Sequence, residues 1–294
     1  MTEAAPVERI TSAPTPPARR DDANKGSFGR VLIIAGSRGM SGAACLSASA
    51  ALRGGAGLVT VAIPQAIQAI VSVYEPSYLT SGLPDDEAGR IKSTALKQIR
   101  ELLTNQTAVA LGPGLSQSPS LQELVSNLYD TVPVPMVVDA DALNMLARRP
   151  YLIKRQAGSP ARVLTPHPGE FARLTGLEIS AIQQDREAVA AKFAAQNNVV
   201  LLLKGRGTII TDGRRLAVNS TGNSGMATGG TGDVLTGIIA ALLGQGLDPF
   251  EAARLGAYVH GTAGDLAAEE LSKPGMIASD LLTQIGRAWC ELGA

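Results

Sequence analysis

In its last third the chain carries the stretch Gly229-Gly230-Thr231-Gly232-Asp233-Val234-Leu235, where small residues lead directly into an apolar helical pattern. The glycines leave the N–H groups of Gly230, Thr231 and Gly232 accessible at the start of that helix. Free N–H groups and the helix dipole together attract a negative charge. The stretch therefore predicts an anion site, although it lacks the GxxxxGK spacing of a P-loop.

Asp233 falls in the first turn of this predicted helix, where a carboxylate has two interpretations. It could only cap the helix, or it could accept a proton from a hydroxyl group that attacks a bound phosphate. A cap does not require the glycines that precede it. We therefore favour the general base.

Outward from this stretch, short apolar runs alternate with helical patterns from Gly29 to the C-terminus. Residues 31–35 are apolar throughout, as expected of a strand covered on both faces. Residues 181–196 predict one helix, 207–211 with 216–219 predict an antiparallel hairpin, and three helices are predicted after Asp233. Strands separated by helices indicate βαβ units, so we expect an α/β fold with a mostly parallel sheet between two helical layers.

Composition narrows the class of protein. Of 294 residues, 45% are hydrophobic and 18% are charged, which excludes disorder of the whole chain. No run reaches the ~18 apolar residues of a membrane helix, so we expect no membrane association. Equal numbers of basic and acidic residues, 26 of each, argue against a nucleic-acid partner.

Domain and compartment follow from similar arguments. Residues 1–28 are polar and rich in proline, so we predict a disordered tail there and a single domain over residues 29–294. Cys45 and Cys290 lie far apart and form no CxxC pair. We therefore expect no disulfide framework, and we expect a cytoplasmic location.

Five predicted strands are followed by loops that carry glycine, carboxylate, histidine or lysine residues. In a parallel sheet such loops meet at one edge, where ligands bind. The loops cover residues 36–44, 112–114, 139–144, 165–170 and 204–208. The first has a GxxGxxG spacing and no acidic residue follows the second strand, which disfavours an NAD-dependent dehydrogenase. Whether this loop binds a nucleotide or is only a tight turn stays open.

Individual side chains in these loops have competing interpretations. His167 stands between two prolines and is interpreted as a site residue, whereas His260, inside a helix, is interpreted as structural. Lys204 leaves a buried strand and is expected to contact phosphate. Asp139 and Asp141 could touch Mg²⁺ or could cap the following helix, and the sequence does not separate these alternatives. The two histidines do not predict a metal site.

Together these motifs resemble the ADP/ATP-dependent NAD(P)H-hydrate dehydratase family of ribokinase-like fold. The resemblance runs from about Lys25 to the C-terminus, and the joint order of its motifs is specific. The motifs are Lys25-Gly26-Ser27-Phe28-Gly29, Leu111-Gly112-Pro113-Gly114, Val138-Asp139-Ala140-Asp141-Ala142-Leu143-Asn144, Thr165-Pro166-His167-Pro168-Gly169-Glu170, Lys204-Gly205 with Thr208, and Gly229-Gly230-Thr231-Gly232-Asp233. The resemblance implies a three-layer α/β/α sandwich with a mostly parallel central sheet.

The resemblance also implies a repair reaction. NADH or NADPH hydrated at C6 of the nicotinamide ring is phosphorylated on that hydroxyl, and phosphate then leaves. Similar bacterial proteins use ADP and yield AMP, with Mg²⁺ as cofactor. The resemblance further implies a homo-oligomer such as a homotetramer. A separate epimerase acting on the same metabolite is expected, because only a short tail precedes Gly29.

Carried over by position, the resemblance assigns roles to the loop residues. Asp233 is the general base, and Gly230, Thr231 and Gly232 form the anion hole. Ala44, Gly114, His167 and Asp233 bind the hydrated nicotinamide nucleotide. Contacts to the adenine nucleotide are assigned to Lys204, Gly205, Arg206, Gly207, Thr208 and Gly232.

Two other functions are compatible with parts of this sequence. A kinase for a vitamin alcohol would share the fold, but Pro166-His167-Pro168-Gly169-Glu170 favours the dehydratase. A nucleotide sensor without turnover would need no base, so Asp233 argues against it.

Overall fold

A computed structural model describes residues 7–294, which form ten strands and eleven α-helices. The strands are β1 (Glu8–Arg9), β2 (Arg30–Ile34), β3 (Leu58–Pro64), β4 (Leu79–Leu83), β5 (Ala108–Leu111), β6 (Met136–Val138), β7 (Arg162–Leu164), β8 (Val200–Leu203), β9 (Ile209–Thr211) and β10 (Arg215–Val218). The helices are α1 (Ser41–Arg53), α2 (Gln68–Tyr74), α3 (Leu96–Leu102), α4 (Pro119–Thr131), α5 (Ala140–Ala147), α6 (Pro168–Thr175), α7 (Ile179–Gln184), α8 (Arg186–Asn197), α9 (Thr231–Gly244), α10 (Pro249–Leu271) and α11 (Ala278–Glu291).

The ten strands form one sheet in the order β1-β10-β9-β8-β7-β6-β5-β2-β3-β4. Neighbouring strands are parallel except at β9, which runs antiparallel to both β8 and β10. The mostly parallel sheet and the predicted hairpin are thus confirmed. Parallel strands with helical crossovers bring the loops that follow them to a common edge of the sheet.

Side chains of β2 show how the sheet is covered on both faces. Val31 and Ile33 are fully buried in a core with α1, α2, α9, α10 and α11. Leu32 and Ile34 are fully buried on the opposite face, in a core with α3 to α8. Because successive strand residues point to opposite faces, an uninterrupted apolar run is needed here. The predicted three-layer sandwich is confirmed.

The structure corrects two expectations about secondary structure. The single helix predicted over 181–196 is broken at Asp185, whose side chain accepts a hydrogen bond from the N–H of Ala188 at 3.2 Å and so begins α8. The short elements α2 and β4 had no predicted counterpart. Strand β4 lies at the border of the sheet and is buried only at Leu83, so it lacks the apolar run of an inner strand.

The segment before Gly29 differs from the mobile tail expected there. Glu8–Arg9 adds a parallel strand to β10, with the N–H of Glu8 bound to the carbonyl of Arg214 at 2.7 Å. The side chain of Arg9 forms an ion pair with Glu187. The open edge of β10 offers backbone partners that composition does not reveal. The expected disorder of residues 1–6 lies outside the described residues.

Candidate active site

The three residues of the predicted anion hole, Gly230, Thr231 and Gly232, lie at the start of α9. Gly230 precedes the helix with φ +95°, and a Cβ there would lie 2.6 Å from Cδ1 of Leu46. The first N–H groups of a helix have no partner inside the helix. The N–H groups of Thr231 and Gly232 therefore remain available to an anion.

Asp233 stands on the first turn of α9, beside these N–H groups. Gly230 precedes the helix and no side chain caps it, so Asp233 does not act as a cap in this structure. Burial, followed by the negative charges of Asp139 and Asp141, raises the pKa of Asp233 to about 7, with Lys204 opposing the rise. A carboxyl group that titrates near neutral pH is suited to accept a proton during catalysis.

Asp139 connects the ends of β6 and β8 to α9. Its Oδ1 accepts a hydrogen bond from Nζ of Lys204 at 2.6 Å, and its Oδ2 accepts one from Oγ1 of Thr236 at 2.8 Å. The Asp139 side chain is almost wholly buried and does not cap α5. A Cβ on Gly232 would lie 3.1 Å from Nζ of Lys204, so the ammonium group lies beside the anion hole.

Asp141 holds the loop that follows β5. Its Oδ2 accepts a hydrogen bond from the N–H of Ser116 at 2.8 Å, and its Oδ1 accepts one from Gln117 at 3.4 Å. Ser116 has φ +62°, a conformation that is unfavourable for a residue with a Cβ. Asp141 thus offsets a strained backbone rather than capping α5.

The histidine of the fourth loop has a fixed orientation. Nδ1 of His167 accepts hydrogen bonds from the N–H groups of Gly169 at 3.0 Å and Glu170 at 3.3 Å. Oε2 of Glu170 in turn accepts one from the N–H of His167 at 2.9 Å, which completes a capping box at the start of α6. Because Nδ1 is an acceptor, a neutral His167 carries its proton on Nε2. The half-exposed ring therefore carries an N–H donor, which lies 3.5 Å from Oε1 of Glu170.

Burial raises the pKa of the neighbouring Glu170; the charge of Lys204 opposes the rise and that of Asp139 adds to it. The structure therefore brings Asp139, Lys204, Glu170, His167 and Asp233 to one edge of the sheet, as expected for loops after parallel strands.

Gly114 and Ala44 lie where the loop after β5 meets α1. Oγ of Ser37 donates a hydrogen bond to the carbonyl of Gly114 at 2.8 Å. Gly114 has φ +61°, and a Cβ there would lie 2.9 Å from the carbonyl oxygen of Met40. The side chain of Ala44 is fully buried. Ala44 therefore supports the loop and offers no polar side-chain group.

A cavity of about 1110 Å³ opens beside the anion hole. Residues 204–208, Thr231 and Gly232 line it, which brings together every residue expected to contact the adenine nucleotide. Residues 218–224 and Met226 also line it, and the N–H of Asn219 donates a hydrogen bond to the carbonyl of Thr208 at 2.8 Å. Ala44, Gly114, His167 and Asp233 are not part of its lining.

Two residues on α10 support the site: His260, which the sequence indicated as structural, and Asp265, which the sequence did not single out. Nε2 of His260 lies 2.8 Å from the carbonyl oxygen of Thr231, which can only accept, so His260 donates and holds the first turn of α9. Burial lowers the pKa of His260 to about 4, which keeps the ring neutral. Asp265 accepts hydrogen bonds from the N–H of Gly222 at 2.8 Å and from Nδ2 of Asn223 at 2.9 Å. Both contacts join residues too far apart in sequence for local patterns to indicate.

Comparisons with known proteins identify relatives of this chain. The family model described as NAD(P)H-hydrate dehydratase matches residues 31–287. The bifunctional NAD(P)H-hydrate repair enzyme Nnr of Moorella thermoacetica is 50% identical over 268 residues, which cover 90% of this chain but only 50% of the relative. The ADP-dependent (S)-NAD(P)H-hydrate dehydratase of Neisseria meningitidis is 36% identical over 266 residues, covering 90% of this chain and 86% of the relative.

A solved structure is similar over nearly its whole length. The ADP/ATP-dependent NAD(P)H-hydrate dehydratase of Bacillus subtilis, co-crystallised with ATP and Mg²⁺, superposes with a TM-score of 0.81 at 32% identity. The match covers 95% of each chain. No helix within residues 7–294 has both the length and the apolar character needed to span a membrane.

Proposed function

The chain belongs to the NAD(P)H-hydrate dehydratase family, and we propose from this that it restores (6S)-hydrated NADH and NADPH to NADH and NADPH at the expense of ADP. One observation carries the proposal. Asp233, whose carboxyl group has a pKa of about 7, directly follows Thr231 and Gly232, and these two residues line a cavity of about 1110 Å³. A site for phosphoryl transfer to a hydroxyl needs these three parts.

ADP is proposed to occupy the cavity between residues 204–208 and 218–224. Residues 204–208 include Lys204 and Arg206, and the two glycines among them allow the backbone to approach phosphate closely. The phosphoryl group that is transferred would lie at the N–H groups of Gly230, Thr231 and Gly232, next to the ammonium of Lys204. The names of the Neisseria and Bacillus relatives support an adenine nucleotide.

Magnesium is proposed to enter with the nucleotide. In residues 7–294 no cluster of three or more His, Cys, Asp or Glu side chains could hold a metal ion. Both oxygens of Asp139 are already engaged, by Lys204 and Thr236. These residues fit an ion that takes its ligands mainly from phosphate and water, as Mg²⁺ does in kinases. Such an ion supplies positive charge to the phosphate oxygens.

The proposed reaction has two stages. Asp233 accepts the proton of the C6 hydroxyl while the hydroxyl oxygen attacks the β-phosphorus of ADP. The bond between the β-phosphoryl group and AMP breaks, and AMP is the leaving group. The lone pair of the ring nitrogen then expels phosphate from C6, and loss of a proton from C5 restores the C5=C6 bond. The N–H groups of the anion hole stabilise charge on the phosphoryl group as it transfers.

The hydrated nicotinamide nucleotide is proposed to bind on the side of Asp233 that faces His167 and Gly114. The Nε2–H of His167 would donate a hydrogen bond to it, and Gly114 would allow its close approach. Ala44 would act through the packing of the loop after β2, since its side chain is buried.

Assembly and setting are part of the same proposal. We propose a homo-oligomer, such as a homotetramer, and a separate epimerase that acts on the same metabolite. The name of the Moorella relative, a bifunctional repair enzyme, supports the second activity. Cys45 and Cys290 are both free thiols, which supports a reducing compartment such as the cytoplasm.

The test is direct conversion of purified hydrated NADH, followed by the return of the near-ultraviolet absorbance of reduced nicotinamide. We expect full recovery for the (6S) form with ADP and Mg²⁺, release of AMP and phosphate in equal amounts, and none without nucleotide. ATP run in parallel measures nucleotide preference. If neither nucleotide restored the absorbance, the dehydratase proposal would be wrong.

A further inference from the structure

Arg186, the first residue of α8, binds the backbone of the loop that follows β8. Its Nη1 donates hydrogen bonds to the carbonyl oxygens of Arg206 at 2.7 Å and Gly207 at 3.3 Å. Its Nη2 donates to those of Leu203 and Lys204, both at 3.1 Å. One guanidinium therefore holds four carbonyl groups within five consecutive residues. Its flat fork of donors makes this possible, whereas the point charge of lysine does not.

The loop is shaped to close around this guanidinium. Gly205 has φ +141°, and a Cβ there would lie 2.9 Å from Nη2 of Arg186. Gly207 has φ +63°, also in the region that favours glycine. Arg186 forms none of the ion pairs found among residues 7–294, so its hydrogen bonds are directed to backbone oxygens.

The opposite side of the loop faces the cavity. In a trans peptide the C=O and the next N–H point in opposite directions. With the carbonyls of Lys204 and Arg206 turned to Arg186, the N–H groups of Gly205 and Gly207 turn away from it. No hydrogen bond within the described residues occupies either N–H. Gly205 and Gly207 line the cavity, whereas Arg186 does not. Free backbone N–H groups that line a cavity attract an anion.

We propose that Arg186 is a positioning residue for the nucleotide: it fixes the backbone of residues 204–208 so that free N–H groups and the Lys204 side chain face the phosphates. This inference rests on the proposed ADP site. Arg186 acts without touching ADP, so its loss lowers the fraction of protein whose loop is ready to bind. The apparent affinity falls by that fraction, and turnover at saturation changes little.

The experiment compares Arg186→Gln with wild type and with Arg9→Gln. Arg9 supplies a matched control because its guanidinium also contacts α8, through Glu187, but lies away from the loop. We expect Arg186→Gln to bind ADP about tenfold more weakly by calorimetry and to raise KM for ADP similarly, with kcat within about twofold. Arg9→Gln should leave both quantities unchanged, and Arg186→Lys should recover only part of the affinity.

Hydrogen exchange of the backbone supplies a second measurement. The N–H of Lys204, which donates a hydrogen bond to the carbonyl of Pro166 at 2.9 Å, should exchange faster in Arg186→Lys than in Arg9→Gln. A folded Arg186→Lys protein suffices if Arg186→Gln fails to fold. ADP affinity equal to wild type, with only a lower melting temperature, would reduce Arg186 to a structural role and overturn the inference. If wild type itself bound no ADP, the proposed function would fail and this inference with it.

Discussion

Nζ of Lys204 lies 2.6 Å from Oδ1 of Asp139, and the second oxygen of that carboxylate is held by Thr236. The ion pair joins the ends of two strands to the helix that carries Asp233. Removing one partner of a buried pair leaves the other charge uncompensated. The pKa of Asp233 therefore depends on the charges of Asp139 and Lys204.

Replacement of Asp233 by Asn tests the general base. Asparagine cannot accept the proton of the C6 hydroxyl, so we expect turnover to fall about 100-fold or more while ADP binding stays within a few-fold. Single-turnover kinetics and calorimetry measure the two effects separately. Turnover equal to wild type would mean that Asp233 only shapes the start of α9.

The pH dependence of kcat/KM follows from the raised pKa of Asp233. The base must be ionised to accept a proton, so kcat/KM should rise with pH through about 7 and level off above it. A profile measured from pH 5 to 9 in buffers of equal ionic strength checks this. A flat profile over this range would show that Asp233 does not titrate during catalysis.

The Asp139–Lys204 pair should move that profile in opposite directions when either partner is neutralised. Asp139→Asn removes a negative charge that raises the pKa of Asp233, so the rising limb should shift to lower pH. Lys204→Met removes an opposing positive charge, so the residual activity should rise at higher pH. Shifts in the same direction in the two variants would contradict the electrostatic account.

Asp265→Ala should loosen the part of the cavity wall that Gly222 and Asn223 form. The N–H of Gly222 loses its acceptor, while Nδ2 of Asn223 keeps the carbonyl of Gly264 at 2.9 Å. The loss costs about 0.5–1.5 kcal/mol of unfolding free energy. We expect KM for ADP to rise and the melting temperature to fall. Glu269→Ala, at an exposed position on the same helix, is the control and should change neither.

The raised pKa of Asp233 should make the free energy of unfolding depend on pH. An unfolded Asp titrates near pH ~3.9, and Asp233 in the folded protein titrates near 7, so folding is favoured by the protonated form. That contribution is present below pH ~3.9 and is lost as pH rises through about 7. Asp233→Asn should therefore be more stable than wild type at pH 8, by about 1–4 kcal/mol, and nearly equal at pH 4. Urea unfolding at both pH values measures the difference, and a constant difference would exclude this origin.

The sequence predicted what depends on neighbouring residues. The apolar run of β2 and the glycines before α9 are local patterns. The first predicted a buried strand, and the second predicted the start of a helix at which an anion could bind. Lys204 was likewise predicted at this edge, because a lysine that directly follows a buried strand leaves the sheet there. The residues given to each nucleotide were assigned through a family resemblance, and their roles stay predictions.

What the sequence could not supply was the partner of each polar side chain. Asp139 was expected to bind metal or to cap a helix, yet its partners, Lys204 and Thr236, lie 65 and 97 residues away. Arg186 falls within a stretch that looks like one continuous helix, so neither the break at Asp185 nor its contacts to residues 203–207 could be anticipated. Such contacts depend on how strands order themselves in the sheet, which no local pattern encodes.

The short strand β1 determines how one border of the sheet meets solvent. Without it, the parallel edge of β10 would present free N–H and C=O groups to any other extended chain. Two residues suffice to occupy that edge, and the charged side chain of Arg9 discourages a further strand from adding beyond it. Shortened versions of the protein that begin after residue 10 would expose a surface prone to aggregation, even though every residue of the proposed site would still be present.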